Sequence, residues 1–285
     1  MASTDLKSSL DHLILFLPAD PETNLPKVPS FFSDNFTLTP GGVHADGLTS
    51  NTLILLADGC YIELICFLPS APSDKVSAHW WSDYATSPGW ADWCLTNDLA
   101  PEANRSSIAT SHNDPIHGGR KRPDGVDVKW AVTFPRGERG LTPFFCHDTT
   151  PREVRVPLSE AKTRHPSGVL GVASLTVMVD SPASLGATRT AYKRLLADLD
   201  HADTSHSCFG TGRVVPVPEL PSGAKVKLVL PRDEEDRAKV SYRGFWYGDI
   251  VLAAAAREGK PKGSKQRLDG DGSGADIRGL WVQYI

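Results

Sequence analysis

The apolar and polar positions of this chain alternate in short runs separated by turn residues. DHLILFL (11–17), NTLILLA (51–57), YIELICF (61–67), VDVKWAVTF (126–134) and LTPFFCH (141–147) each read as a strand. So do GVASLTVMV (171–179), AKVKLVL (224–230), DIVLAAA (249–255) and GLWVQYI (279–285). The 22 prolines and 24 glycines favour strands joined by turns over long helices. One segment, 181–199, reads as a helix: Ser181 followed by Pro182 is a cap and first-turn pair, and Leu185, Ala191, Leu195 and Leu199 give a partial apolar stripe. The expected class is α+β.

Side-chain alternation along a strand puts His12, Ile14 and Phe16 on one face, and Tyr61, Glu63 and Ile65 on another. Glu63 stands out. It is the one charged residue in a run that reads as buried on both sides, where an uncompensated carboxylate costs several kcal/mol, on the order of 5. It must meet a partner.

The two halves of the chain invite comparison. The run 12–17 aligns with 172–177, and 61–65 with 281–285, so that His12 corresponds to Val172 and Glu63 to Gln283. This divides the chain into a first module over 1–150 and a second, divergent module over 151–285. The first carries a tryptophan-rich insertion at 79–95, with Trp80, Trp81, Trp90 and Trp93, which reads as a lid over a ring-bearing ligand or as a satellite core.

Composition narrows the functional classes. Of 285 residues, 40% are hydrophobic and 22% charged, enough for a sizeable core. A net charge of −4 disfavours nucleic acid and anionic membrane as partners. No run approaches a membrane span, and the first residues lack signal-peptide order. Five cysteines without CxxC spacing read as buried thiols, so a cytoplasmic protein is expected.

Three motifs carry a resemblance. GGVHADGLTSNTLILLADGCYIELICF (41–67), GRKRPDGVDVKWAVTF (119–134) and LTPFFCHDTTP followed by HPSGVLGVASLTV resemble, in that order, segments of the glyoxalase-like domain family. That family belongs to the vicinal oxygen chelate superfamily. The resemblance implies paired βαβββ modules curled into a half-open barrel, with side chains from first and last strands converging inside and often holding a divalent metal. It implies an enzyme of isomerase, lyase or ring-cleaving dioxygenase type. The substrate would be a small, oxygen-rich organic molecule, such as a hydroxy-ketone, a phenol or a polyketide-like acid. The alternative is a non-catalytic module that sequesters a small molecule on the same fold.

The resemblance assigns residues as follows. His12, Glu63 and His44 are the catalytic candidates. Arg122, Arg120, Trp130, Asn51 and Trp81 are candidates for binding substrate, Arg122 favoured for an anionic group because RPDG is the family-like part. A metal, if held, would be zinc, iron, manganese or nickel on His12, Glu63 and Gln283. Val172 cannot bind a metal, which leaves that site one ligand short and favours the binding module. No nucleotide cofactor is expected, and a homodimer is left open. From the residues alone, a hydrogen bond between His12 and Glu63, or an arginine paired with Glu63, is the simpler reading, because buried polar groups are usually satisfied by protein partners rather than by a metal.

Overall fold

The computed structural model describes residues 8–122, 124–199, 206–270 and 277–285. Its strands form two sheets. The first contains β1 (Ser9–Phe16), β2 (Thr39–Val43), β3 (Thr49–Leu55), β4 (Tyr61–Phe67), β5 (Gly89–Thr96), β6 (Ile116–Lys121), β7 (Asp127–Thr133) and β8 (Phe144–Asp148). The second contains β9 (Val169–Val179), β10 (Ala197–Asp198), β11 (His206–Gly210), β12 (Lys225–Val229), β13 (Phe245–Ala254), β14 (Lys265–Arg267) and β15 (Leu280–Tyr284).

The first sheet runs in the order β2-β3-β4-β1-β5-β8-β7-β6. β1 pairs parallel with β4 and antiparallel with β5, and β5 pairs parallel with β8. Each half is therefore a βαβββ unit, with a short helix (Ser30–Asn35 or Pro101–Ser107) after its first strand. The sheet curls until its edges meet: Ala45 N–H donates to the Gly119 carbonyl at 2.9 Å, and His44 bridges Arg120. Gly42 allows this approach, because a Cβ there would lie 2.6 Å from the Lys121 carbonyl oxygen, and its φ of 150° suits glycine.

Alternation explains how the strands tolerate burial on both sides. Leu13, Leu15, Ile62, Leu64 and Trp93 face outward and join Val172, Val177, Leu252 and Val282 of the second sheet in one core. Ile14, Phe16, Ile65 and Cys94 face the hollow of the barrel with Trp81, Phe134 and Phe144. The two sheets thus share one core, and the hollow belongs to the first.

This geometry changes the internal correspondence. β9 holds in its sheet the place of β1, but the two side chains point differently: His12 faces the hollow, and Val172 packs in the core between the sheets. Glu63 is paired with Ile14, two residues beyond His12; the matching partner of Ser174 is Lys225 on β12. Gln283 lies on β15, between Ala253 and Lys265, and corresponds to a position on β8 instead. The expected helix spans Pro182–Tyr192, and the Ser181 hydroxyl accepts the Ser184 N–H at 3.2 Å. The tryptophan-rich insertion is partly a barrel strand: Trp90 and Trp93 are on β5 and fully buried, while Trp80 and Trp81 stand at the hollow.

Candidate functional site in the first barrel

The hollow is a cavity of about 240 Å³, and every residue lining it comes from the first 155 positions. His12, Glu63, His44, Asn51, Arg120, Trp130 and Trp81 all line it. Two expected members do not. Gln283 sits in the second sheet. Arg122 turns outward, donating to the Val154 carbonyl at 3.1 Å and to Asp124 at 2.5 Å. Val172 packs in the core between the sheets, so its lack of a ligand atom says nothing about this cavity.

Glu63 meets a row of polar groups. Asn51 donates to its Oε1 at 2.6 Å, His44 Nε2 lies 3.4 Å from the same oxygen, and His12 Nε2 lies 3.7 Å from Oε2. Burial would push this carboxyl up. The hydrogen bond from His44, the charges of His44 and His12 and the bond from Asn51 outweigh it and hold the group at about 2. Glu63 is therefore a carboxylate in the folded protein. His44 is steadied from behind by Thr49, whose Oγ1 lies 2.6 Å from Nδ1. Asn51 is fixed by the Gly42 N–H, which donates to its Oδ1 at 3.1 Å.

His12 is held from its far side. Its Nδ1 lies 2.5 Å from Asp11 Oδ1, and its ring stacks on Tyr61, centroid to centroid 4.6 Å. Burial alone would raise the Asp11 carboxyl. Arg152 and Arg155, the hydrogen bonds from Arg155 and that from His12 keep it well below the usual carboxylate range. An ionised carboxylate only accepts, so Nδ1 carries the proton in the neutral ring and Nε2 presents a lone pair toward the cavity. Arg155 also donates to the Tyr61 hydroxyl at 2.9 Å and to Asp148.

Asp11 and Arg155 escape sequence reasoning. Asp11 has a signal, its place beside His12 in the Asp-His pair. Arg155 has none, since it reaches Asp11 across 144 positions of chain. Two further buried histidines stand away from this cluster: His147 faces Asn97 at 3.2 Å, and His165 the Leu55 carbonyl at 3.0 Å.

Among the described residues, one group of side chains has ligand atoms close enough for a metal: Asp11, His12 and Cys94, within 4.8 Å of one another. The surroundings do not suit a cation. Both Asp11 oxygens are engaged by Arg152 and Arg155, and burial pushes the Cys94 thiol well above its ordinary range. His12 Nε2 and Glu63 Oε2 suit one better, because both present lone pairs to the same space.

A sequence profile of the glyoxalase-like domain matches residues 10–196. The chain belongs to this family, and its fold is the paired-module fold of the vicinal oxygen chelate superfamily. No curated protein matches it. A hypothetical protein from Staphylococcus aureus is similar along the whole length, with 14% identity, a TM-score of 0.66, and 98% of this chain and 99% of that chain covered. A mutant of 4-hydroxymandelate synthase from Streptomyces coelicolor superposes with 13% identity and a TM-score of 0.52, covering 89% of this chain and 73% of that chain. Similarity at these identities establishes the fold alone. Among the described residues, no helix is long and apolar enough to cross a membrane.

Proposed function

We propose that this chain is an enzyme that moves a proton on a small, oxygen-bearing organic molecule, in an isomerase or lyase type of reaction. The observation that carries the reading is the orientation of His12. Its Nε2 lone pair faces the cavity 3.7 Å from an ionised carboxylate, with Nδ1–H anchored to Asp11. In this reading Nε2 takes the proton from a carbon next to a carbonyl, and the C–H electron pair passes onto the carbonyl oxygen as an enolate. Glu63 accepts from Asn51 and lies 3.7 Å from Nε2, where its negative charge stabilises the imidazolium that forms. Return of the proton to a neighbouring atom completes an isomerisation, and expulsion of a leaving group completes an elimination.

A second reading has its own support. In the neutral tautomer, His12 Nε2 and Glu63 Oε2 face each other without a hydrogen between them. Their 3.7 Å separation is close to the ~3.4 Å between two ligands on one tetrahedral metal. His12 and Glu63 would hold a divalent ion, with open positions left for substrate oxygens. When bound, such an ion supplies Lewis acidity to a carbonyl.

Deuterium uptake from D2O by 2-hydroxyacetophenone, a single ring carrying a side chain with oxygens on adjacent carbons, tests both. The protein should catalyse exchange at the carbon beside the carbonyl, and His12→Ala should lower the rate by roughly 100-fold or more. Exchange that survives a chelator supports the metal-free reading; exchange lost with the metal supports the second. Equal rates in wild type and His12→Ala would leave only a binding module.

A further inference from the structure

Arg120 sits on β6, is 6% exposed and lines the cavity. Its guanidinium makes two hydrogen bonds, to the Gly41 carbonyl at 2.9 Å and to the Arg155 carbonyl at 3.4 Å. Among the described residues it meets no carboxylate within ion-pair distance. The other buried arginine at this site, Arg155, is paired with both Asp11 and Asp148. A buried cation with two carbonyl partners, whose nearest negative charge, Glu63, acts on it only from beyond ion-pair distance across the same cavity, is an unfinished arrangement, because buried charges are normally paired.

The walls around it are of a different character. Trp81, Trp130, Val132, Phe134 and Phe144 form a continuous apolar surface, and the partly exposed Trp80 and Ile116 stand at the mouth. Trp130 lies over Gly118, where a Cβ would come within 2.9 Å of the indole nitrogen. Its ring meets His44 edge-on, 5.9 Å between centroids. A cavity of about 150 Å³ with such walls accepts a benzene ring, so 240 Å³ holds one ring and a short side chain.

We infer that the occupant is a single-ring organic acid bearing one negative charge, its carboxylate on Arg120 and its ring against Trp130, Phe134 and Phe144. This deepens the proton-transfer reading and rests on it for the location of the site. A bidentate guanidinium–carboxylate pair supplies both charge and orientation. The charge is limited to one because the ionised Glu63 shares the cavity. A phosphate or dicarboxylate would bring a second negative charge beside it.

The test is quenching of tryptophan fluorescence by phenylacetate, methyl phenylacetate and acetate near neutral pH. Phenylacetate should bind saturably and about tenfold or more tightly than the ester, a difference of about 1.4 kcal/mol, and more tightly than acetate. In Arg120→Gln the preference for acid over ester should shrink to within about twofold, while Arg120→Lys keeps part of it. The comparison among ligands in the wild-type protein stands even if these variants fold poorly. His12→Ala should keep the preference, which separates this inference from the fate of the proton-transfer reading. The inference is overturned if the ester binds as tightly as the acid, if acetate matches phenylacetate, or if none of the three binds saturably.

Discussion

Gly41 and Asn51 are fitted to each other so closely that a Cβ on residue 41 would lie 1.8 Å from the Asn51 Oδ1 and 2.5 Å from its carbonyl oxygen. The paired glycines, the histidine and the asparagine of the 41–51 stretch are thus one device. The glycines admit the asparagine side chain, and the asparagine holds Glu63. Gly41→Ala should cost about 1–3 kcal/mol and displace Asn51 from Glu63. Denaturant unfolding measures the first effect. The second should appear as a carboxyl at position 63 that titrates at higher pH in carbon NMR, having lost one of its donors.

The acid stability of the protein should depend on Glu63. Its folded value of about 2 lies below the 4.5 of a free glutamate. Its contribution is therefore complete above pH ~4.5 and is lost as pH falls toward 2, amounting to about 3 kcal/mol. Glu63→Gln should flatten the melting temperature profile in that window.

Asp92 should act with the opposite sign. It accepts hydrogen bonds from the Trp81 indole at 3.1 Å and the Trp93 N–H at 2.9 Å, yet burial pushes it up to about 6 against the influence of Arg139 and these donors. The folded state therefore holds this proton more tightly than the unfolded chain. The stability gained from it at low pH is lost as pH rises from about 4 through 6, by about 3 kcal/mol. Asp92→Asn should lose that slope, whatever its absolute stability, and chemical denaturation at a series of pH values will show it.

Asp11 joins His12 to two arginines. Replacing it by Asn leaves Arg155 with Asp148 alone and frees the imidazole to choose its tautomer. Asp11→Asn should destabilise the fold by about 3–5 kcal/mol, as removal of one member of a buried ion pair does. Calorimetry or denaturant titration checks the figure.

Much of the site is legible in the sequence because the chemistry conflicts with the pattern. A carboxylate in YIELICF needs partners, and alternation already turns it toward the face shared with Tyr61. The glycines and the asparagine around His44 mark a bent backbone beside a strand. Legibility fails where patterns coincide. YIELICF and GLWVQYI are both short runs of apolar and aromatic residues and read alike, although β4 lies beside β1 in its sheet and β15 beside β13, and the match of Gln283 to Glu63 rests on that likeness. β5 is hard to read because its tryptophans fit a lid or a satellite core as well as a strand. Arg120 and Arg122 differ by two positions, and the sequence favours Arg122, whereas Arg120 is the one that lines the cavity. Strand register puts Arg120 on the inner face with Gly118 and Trp130, while the RPDG turn carries Arg122 outside.

The central claim is that His12 presents a bare Nε2 to the cavity of the first barrel while Asp11 holds the other nitrogen. Nitrogen NMR of the His12 imidazole tests it most directly. The neutral ring should carry its proton on Nδ1, and adding phenylacetate should shift the Nε2 signal. A neutral ring protonated on Nε2, with a signal that phenylacetate leaves unmoved, would contradict it.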